Sequence, residues 1–315
     1  MPSPKTFWQS RFPRLRYCIV WLAFVWMRLI VLLPLRLQLW LGRMAGRVSM
    51  WLAPGRRAVA NSNLAACFPE LSAVERRRLC AEHFEALGMS VIEMAMGWYG
   101  NIGKLETHIE IEGLEHLRAA LAKRSGVILF SAHFTAFEIF FPILRTHCPR
   151  ISGMYKVQRN PLMNEVMNEG RGRNIDFLFP KDNVRDMMRE LRNGSVVWYA
   201  SDQKYAGKNS ALIPFFGVPA MTNTAISRIA AKTDATVLPY FCRRMPGKRP
   251  RYVASIGAPI PGFDGADPIS DVQTFVHLLE EYIRDCPEQY WWIHKRFKDR
   301  PDSLPDIYST ARSTG

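Results

Sequence analysis

The sequence predicts an α/β protein: a mostly parallel sheet flanked by helices, preceded by a helical region and an N-terminal membrane-anchoring helix. Three observations carry the sheet. After Ser125, short apolar runs alternate with stretches of helical period, the pattern of strand–helix–strand units. One run, Val127 to Phe130, is wholly apolar, as a strand buried on both faces requires. Polar residues follow at several strand ends, where open α/β sheets place their chemistry.

The first 69 residues contain no Asp or Glu but carry Lys5, Arg11, Arg14, Arg16, Arg28, Arg36, Arg43, Arg47, Arg56 and Arg57. The whole chain of 315 residues has a net charge of +14, is 48% hydrophobic and holds nine Trp, so an anionic partner is expected. Basic residues interleaved with Leu, Val and Trp suit a membrane surface better than a DNA groove. No recognition-helix, zinc-finger or RNA-binding signature accompanies them, and no nucleic-acid partner is expected.

Tyr17 to Leu35 is nineteen residues with Arg28 alone among charges, just long enough to span a bilayer. No small-x-small cleavage site follows closely, which argues against a signal peptide. The basic flanks, Arg28, and Trp8, Trp21, Trp26, Trp40 and Trp51 also suit a helix lying in the interface. The expectation is a membrane anchor over residues 1–45, a span being favoured over surface embedding. The remaining domain occupies 46–315, its helical part at about 58–108 and its α/β part at about 109–300.

In the helical part, Ala73 to Gly88 and Ser90 to Trp98 read as helices, and their methionines as core filler. Ile109-Glu-Ile-Glu-Gly113 alternates and reads as a short edge strand, followed by a helix over Leu114 to Lys123. Beyond Ser125, strands are predicted at Val127–Phe130, Ile151–Tyr155, Ile175–Phe179, Val196–Tyr199, Ala235–Arg243 and Arg251–Ile256. Pro161 opens a helix where its missing N–H costs nothing, and Gly170 closes it. Asp182 or Asn183 caps the next helix, Thr222 or Asn223 the helix Ala225–Lys232, and Ser270 with Gln273 a long amphipathic helix.

The chemistry centres on His133, delivered by the end of the Val127–Phe130 strand, with Glu138 five residues later. A histidine base held in one orientation by a carboxylate is a working pair for proton transfer, although an isolated His-x4-Glu also suits a histidine capping a helix. Three further strand ends carry polar clusters. Tyr155-Lys156 precedes Arg159, Arg171 and Arg173; Ser201-Asp202-Gln203-Lys204 follows the Val196 strand; and Phe215-Phe-Gly-Val-Pro-Ala220 leads to Thr222-Asn223. Strand ends of one parallel sheet share an edge, so these clusters converge near His133. Lysine and arginine there suit phosphate or carboxylate.

Several chemistries are excluded. There is no G-x-S-x-G elbow, P-loop, dinucleotide fingerprint or H-E-x-x-H. The six cysteines show no C-x-x-C spacing, which leaves reduced thiols as the default and no cofactor or metal to expect.

Together these residues resemble the lysophospholipid acyltransferase superfamily, most closely the late acyltransferases (lauroyl and myristoyl type) of bacterial lipid A biosynthesis. The resemblance runs from the N-terminal apolar segment to about Pro301. It rests on His133-Phe-Thr-Ala-Phe-Glu138, Asn160-Pro-Leu-Met163, Asp202-Gln203, Pro214-Phe-Phe-Gly-Val-Pro219 with Thr222-Asn-Thr224, and Pro287-Glu-Gln-Tyr-Trp-Trp-Ile-His-Lys-Arg-Phe297. Lys156 stands where many members carry arginine.

The resemblance implies a glycerol-phosphate acyltransferase-like sheet and transfer of an acyl chain from acyl carrier protein to a hydroxyl of a lipid A precursor. A thioester is already activated, so a base for the attacking hydroxyl suffices. His133 takes that role, with Glu138 fixing its tautomer. Lys156, Arg171 and Arg173 are assigned to the acceptor's phosphates, and Asp202 and Gln203 to shaping the site or positioning the acceptor. The implied location is the bacterial inner membrane with the catalytic domain facing the cytoplasm, among membrane lipids. Another lipid acceptor, or a non-catalytic anionic-lipid-binding protein, is the alternative.

Overall fold

The computed structural model describes residues 18–247 and 249–309. Its strands are β1 (Ile109–Glu112), β2 (Val127–Ser131), β3 (Ile151–Tyr155), β4 (Phe177–Pro180), β5 (Val196–Ala200), β6 (Ser210–Phe215), β7 (Val218–Asn223), β8 (Thr236–Met245) and β9 (Arg251–Ile256). Seven form one sheet in the order β1-β9-β8-β2-β5-β3-β4, and β6 and β7 pair separately. Within the large sheet β8 and β9 are antiparallel and the other described pairings are parallel. The mostly parallel α/β sheet read from the sequence is therefore observed, and Ile109–Glu112 is its edge strand. β2 lies at the centre with every residue buried, which is why its run is apolar throughout.

Helices cover the sheet. The helix Pro268–Asp285 buries Val272, Phe275, Val276, Leu279 and Ile283, and Phe275 stacks on Phe130 of β2 with ring centroids 3.5 Å apart. The helical part before β1 forms its own layer of helices Leu35–Leu52, Pro54–Cys67 and Ala73–Tyr99. The last of these starts with a capping box, in which Ser72 accepts from the Glu75 N–H and Glu75 accepts from the Ser72 N–H.

Four local readings change. The helix opened by Pro161 runs to Arg171 and is capped at Gly172, so Gly170 lies inside it. Ala73–Gly88 and Ser90–Trp98 are one continuous helix, Ala73–Tyr99. Gly88 does not terminate it. It is a crossing point, because a Cβ there would collide with the Gly42 carbonyl and the Gly46 backbone of the Leu35–Leu52 helix. Thr222 and Asn223 lie in β7, and the following helix is capped at Thr224. The hairpin that displaces the expected cap turns at Phe216-Gly217, both at positive φ of 50° and 73°, as a two-residue hairpin loop demands. The helix Pro268–Asp285 is capped by Asp267, whose carboxylate accepts from the Ile269 and Ser270 N–H groups. Pro268 occupies the first helical position, so the helix starts ahead of Ser270.

The N-terminal expectation is also corrected. Tyr17 and the residues before it, Trp8 among them, lie outside the described residues. Beyond them the apolar stretch is helical over Cys18–Ile30. The helix stops before Pro34, which lacks an N–H and disfavours helix at the residue ahead of it. The helix Leu35–Leu52 then begins, and Gln38 Nε2 donates to the Leu33 carbonyl at 2.7 Å across the break. Among the described residues no helix is long and apolar enough to cross a membrane. Phe24, Met27 and Ile30 are buried in the core while Leu22, Trp26 and Leu29 are exposed.

Candidate active site

β2 and β5 are neighbours in parallel register, with Ser131 opposite Ala200 as the last matched pair. Two residues further along each strand stand His133 and Asp202. The Asp202 carboxylate takes both hydrogen-bond donors that His133 offers on this side: its backbone N–H at 3.1 Å and its Nδ1 at 2.7 Å. The Asp202 side chain is almost fully buried, whereas that of His133 is 27% exposed. Burial by itself pushes the Asp202 carboxyl up. The charge of His133 and its two hydrogen bonds, with help from Arg296, outweigh burial and hold the carboxyl below its usual range. An ionised carboxylate on Nδ1 fixes the tautomer with its lone pair on Nε2, aimed away from the protein's own acceptor.

Glu138 is engaged elsewhere. Its Oε1 accepts from Arg171 Nε at 2.8 Å and from the same guanidinium's terminal nitrogen at 2.5 Å, while Oε2 accepts from Trp98 Nε1 at 3.1 Å. Both members of the ion pair are largely buried. The orienting contact on His133 expected of Glu138 is thus made by Asp202, because residues 137–140 form a 3-10 turn that points the Glu138 carboxylate to the end of the Pro161–Arg171 helix. Two glycines permit this approach. A side chain on Gly97 would strike the Glu138 carbonyl, and one on Gly170 would strike the Trp98 indole.

The other expected residues are distributed around this centre. Arg173 pairs with Glu169 at 2.7 Å and stacks over the Tyr99 ring. Arg28, from the N-terminal helix, stacks over the same ring, 4.8 Å from its centroid. Lys156 is exposed just beyond β3, and Gln203 is half-buried beside Asp202. Arg171, assigned from sequence to a phosphate, is committed to Glu138. Among the described residues no group of three His, Cys, Asp or Glu is placed to hold a metal ion.

A wall and a cover complete the site. Phe137 and Trp198 stack face to face beside the His133 ring, giving it an apolar flank. The segment after the last helix folds across: Thr135 N–H donates to the Gln289 carbonyl, Trp291 N–H donates to the His133 carbonyl at 3.1 Å, and Phe134 bridges Tyr290. Asn63, from the helical layer, holds this segment by donating to the carbonyls of Trp292 and His294. Arg296 is buried and donates to the Met221 carbonyl and Thr222 Oγ1. His294 Nε2 accepts from the Lys204 N–H at 3.2 Å. Clefts of about 730 Å³ and 540 Å³ open elsewhere, and neither is lined by His133, Asp202 or Glu138.

His294, Arg296, Asn63 and Trp98 were not singled out from sequence. The signal available for the first two was the polar end of the Tyr-Trp-Trp-Ile-His-Lys-Arg-Phe block, where charge sits inside an otherwise apolar segment. Asn63 and Trp98 gave none, since their partners lie far along the chain.

Residues 6–299 match the family model of the bacterial lipid A biosynthesis acyltransferases. The chain is 30% identical to the lipid A biosynthesis lauroyltransferase of Escherichia coli (strain K12), over 93% of this chain and 95% of that protein. It is 30% identical to the palmitoleoyltransferase of the same organism, over 97% and 99% of the two chains. With the myristoyltransferase of that organism the identity is 28%, over 93% of each. The match spans the N-terminal helices, the sheet with the His133–Asp202 pair and the covering segment alike, and the chain belongs to the bacterial lipid A biosynthesis acyltransferase family.

Proposed function

We propose that this protein performs a secondary acylation in lipid A biosynthesis, moving a fatty acyl chain from an acyl carrier protein thioester to a hydroxyl of a lipid A precursor at the cytoplasmic face of the inner membrane. The observation that carries the reading is the His133–Asp202 pair at adjoining parallel strand ends, in a chain of this family. Nε2 of His133 takes the proton of the acceptor hydroxyl as its oxygen attacks the thioester carbonyl. Asp202 holds the ring and stabilises the imidazolium that forms. When the tetrahedral intermediate collapses, the carbon–sulfur bond breaks and the same proton passes to the departing thiolate. No covalent enzyme intermediate is required.

Glu138 serves this site at one remove. It anchors Arg171 and Trp98 behind the loop that carries His133, and so is a positioning residue. Lys156 and Arg173 remain the candidates for the acceptor's phosphates, with Arg171 contributing charge rather than a free donor. Gln203, beside Asp202, is assigned to positioning the acceptor. The exposed apolar faces of the first two described helices lie in the membrane interface, which brings the site to a lipid acceptor. A basic chain of net charge +14 suits an acidic carrier protein.

The relatives' names specify three different acyl groups, so chain length is not transferred here. The reading is tested by mass spectrometry of lipid A from a host lacking its own secondary acylation. Expression of this protein should add one acyl chain, and His133→Ala should add none. A gain of mass on a phospholipid instead would assign a different acceptor.

A further inference from the structure

The covering segment contributes a second imidazole whose use the scheme above leaves open. Four contacts close a ring around the mouth of the site. His133 Nδ1 is bonded to Asp202 at 2.7 Å. Two residues on from Asp202, the Lys204 N–H donates to His294 Nε2 at 3.2 Å. His294 N–H returns to the Trp291 carbonyl at 3.3 Å, and Trp291 N–H donates to the His133 carbonyl at 3.1 Å. His294 is therefore tied to His133 along both arms of the ring.

The two imidazoles are held in the same tautomer, with the proton on Nδ1. His133 gives its Nδ1 proton to a carboxylate and keeps a lone pair on Nε2. His294 accepts a backbone N–H on Nε2, so in the neutral ring its proton sits on Nδ1. No described contact engages that Nδ1. The cationic donors nearby are committed: Arg296 to Met221 and Thr222, Arg171 to Glu138, and the Lys204 ammonium to Asp299.

We infer that His294 is a further catalytic residue, whose Nδ1–H donates to the carbonyl oxygen of the acyl thioester and holds the oxyanion formed there. The inference rests on the acyl-transfer reading above. As the acceptor oxygen bonds to the carbonyl carbon, its proton moves to His133 Nε2 and the carbonyl electron pair moves to the oxygen. That oxygen takes up the His294 hydrogen bond. When the carbonyl re-forms, the carbon–sulfur bond breaks and the thiolate leaves with the proton from His133.

A neutral donor suits this task, because it stabilises the oxyanion without surrendering its proton. Burial is the main cause that pushes the His294 imidazole down to about 4; Asp202 opposes it, while His133, Arg296 and Lys204 add to it. At neutral pH the ring is uncharged, as the inference needs.

The experiment uses the full-length protein and a dodecanoyl thioester of pantetheine labelled with ¹³C at the carbonyl. Isotope-edited infrared spectra of the bound probe, taken without acceptor, should show the carbonyl band moved to lower frequency in the wild type and returned toward its solution position in His294→Ala. The same variant should lose about 10²–10³-fold in kcat, with the KM for thioester changed by less than about threefold, as expected for a hydrogen bond that is weak in the bound thioester and strengthens as the oxyanion forms. His294→Gln, which keeps an amide N–H on a side chain of similar reach, should recover part of both effects and carries the test if the alanine variant does not fold. An unchanged carbonyl band in both variants, or undiminished kcat, overturns the inference. His133→Ala separates it from the reading it rests on: that variant should be inactive yet keep the shifted band. A shifted band with no transfer to any glycolipid by the wild type would uphold the donor site and overturn the acceptor assignment.

Discussion

His133 and Asp202 each stand two residues beyond Ser131 and Ala200, the last matched pair of β2 and β5. Parallel strands in register necessarily bring equivalent positions past their ends together, so the pairing is a property of the sheet before it is a property of the loops. It follows that Asp202 orients the histidine. Asp202→Asn should lower kcat by about 10²–10⁴-fold, close to the loss in His133→Ala, and the double variant should be little worse than either alone. Steady-state kinetics on folded, purified variants decide this. Independent, additive losses would mean that the two residues do not work as a unit.

Glu138 and Arg171 form a largely buried ion pair, with the Trp98 indole completing the carboxylate's shell. Removing one charge strands the other, at a cost of about 3–5 kcal/mol. Glu138→Gln and Arg171→Met should each lower the denaturation midpoint strongly, whereas the double variant should regain part of the loss. Equilibrium unfolding of the three proteins gives the coupling energy. If Glu138→Gln instead leaves stability intact and changes only kcat, the carboxylate acts on the chemistry directly.

Much of the sheet was legible because its signals are local. Val127 to Phe130 is apolar on both faces, and the helices between strands have caps such as Asn183, whose side chain accepts from the Asp186 N–H. The position of His133 at a strand end was equally readable. Its partner was not. Glu138 lies five residues away in sequence, while Asp202 lies 69 away and is brought near only by strand register. The hairpin of β6 and β7 was hidden because Pro214, Pro219 and Gly217 interrupt any alternation. The apolar N-terminal stretch misled for another reason: hydropathy counts length, but Pro34 divides the length into two helices.

The crossing of the Leu35–Leu52 and Ala73–Tyr99 helices depends on Gly42, Gly46 and Gly88, whose backbones meet without side chains between them. Gly88→Ala should force the helices apart and destabilise the fold by about 1–3 kcal/mol. Gly55 is the internal control. A side chain there meets nothing within 4 Å in the helix Pro54–Cys67, so Gly55→Ala should raise stability by about 0.5–1 kcal/mol. Thermal melts of both variants should move in opposite directions, and a shared direction would refute the close crossing.

His83 supplies a pH dependence. It is fully buried, its Nδ1–H donates to the Glu288 carbonyl at 3.0 Å, and its Nε2 has no partner among the described residues. Burial pushes the imidazole down to about 4 from an ordinary 6.5, against the opposing hydrogen bond. Between those values the unfolded chain binds a proton that the folded chain does not, so the stability present above pH 6.5 is lost as pH falls toward 4. The loss from this one group is roughly 3 kcal/mol. His83→Leu should flatten the slope of unfolding free energy in that window by about 1.4 kcal/mol per pH unit. Denaturant titrations at pH 4.5, 5.5 and 6.5 measure it, and parallel curves for variant and wild type would show that His83 takes up its proton in the folded state.

The first described helix has two faces with different obligations. Phe24, Met27 and Ile30 belong to the core, whereas Leu22 and Leu29 on the other face, and Leu32 in the turn that follows the helix, are 69%, 58% and 77% exposed. Deleting the helix would therefore test folding and membrane binding at once. Substitution on the outer face alone separates them. Leu29→Ser and Leu32→Ser should leave the melting temperature unchanged and weaken partition into anionic vesicles by about tenfold each, the consequence of about 1.4 kcal/mol less apolar burial per side chain. The remaining attraction comes from arginines such as Arg36, and screening shortens its reach from about 10 Å at 0.1 M salt to about 3 Å at 1 M. Co-sedimentation of the double variant should consequently collapse at 1 M salt, while the wild type stays largely with the vesicles because its leucines are inserted. Equal sedimentation of the two proteins at high salt would locate the embedded surface elsewhere on the chain.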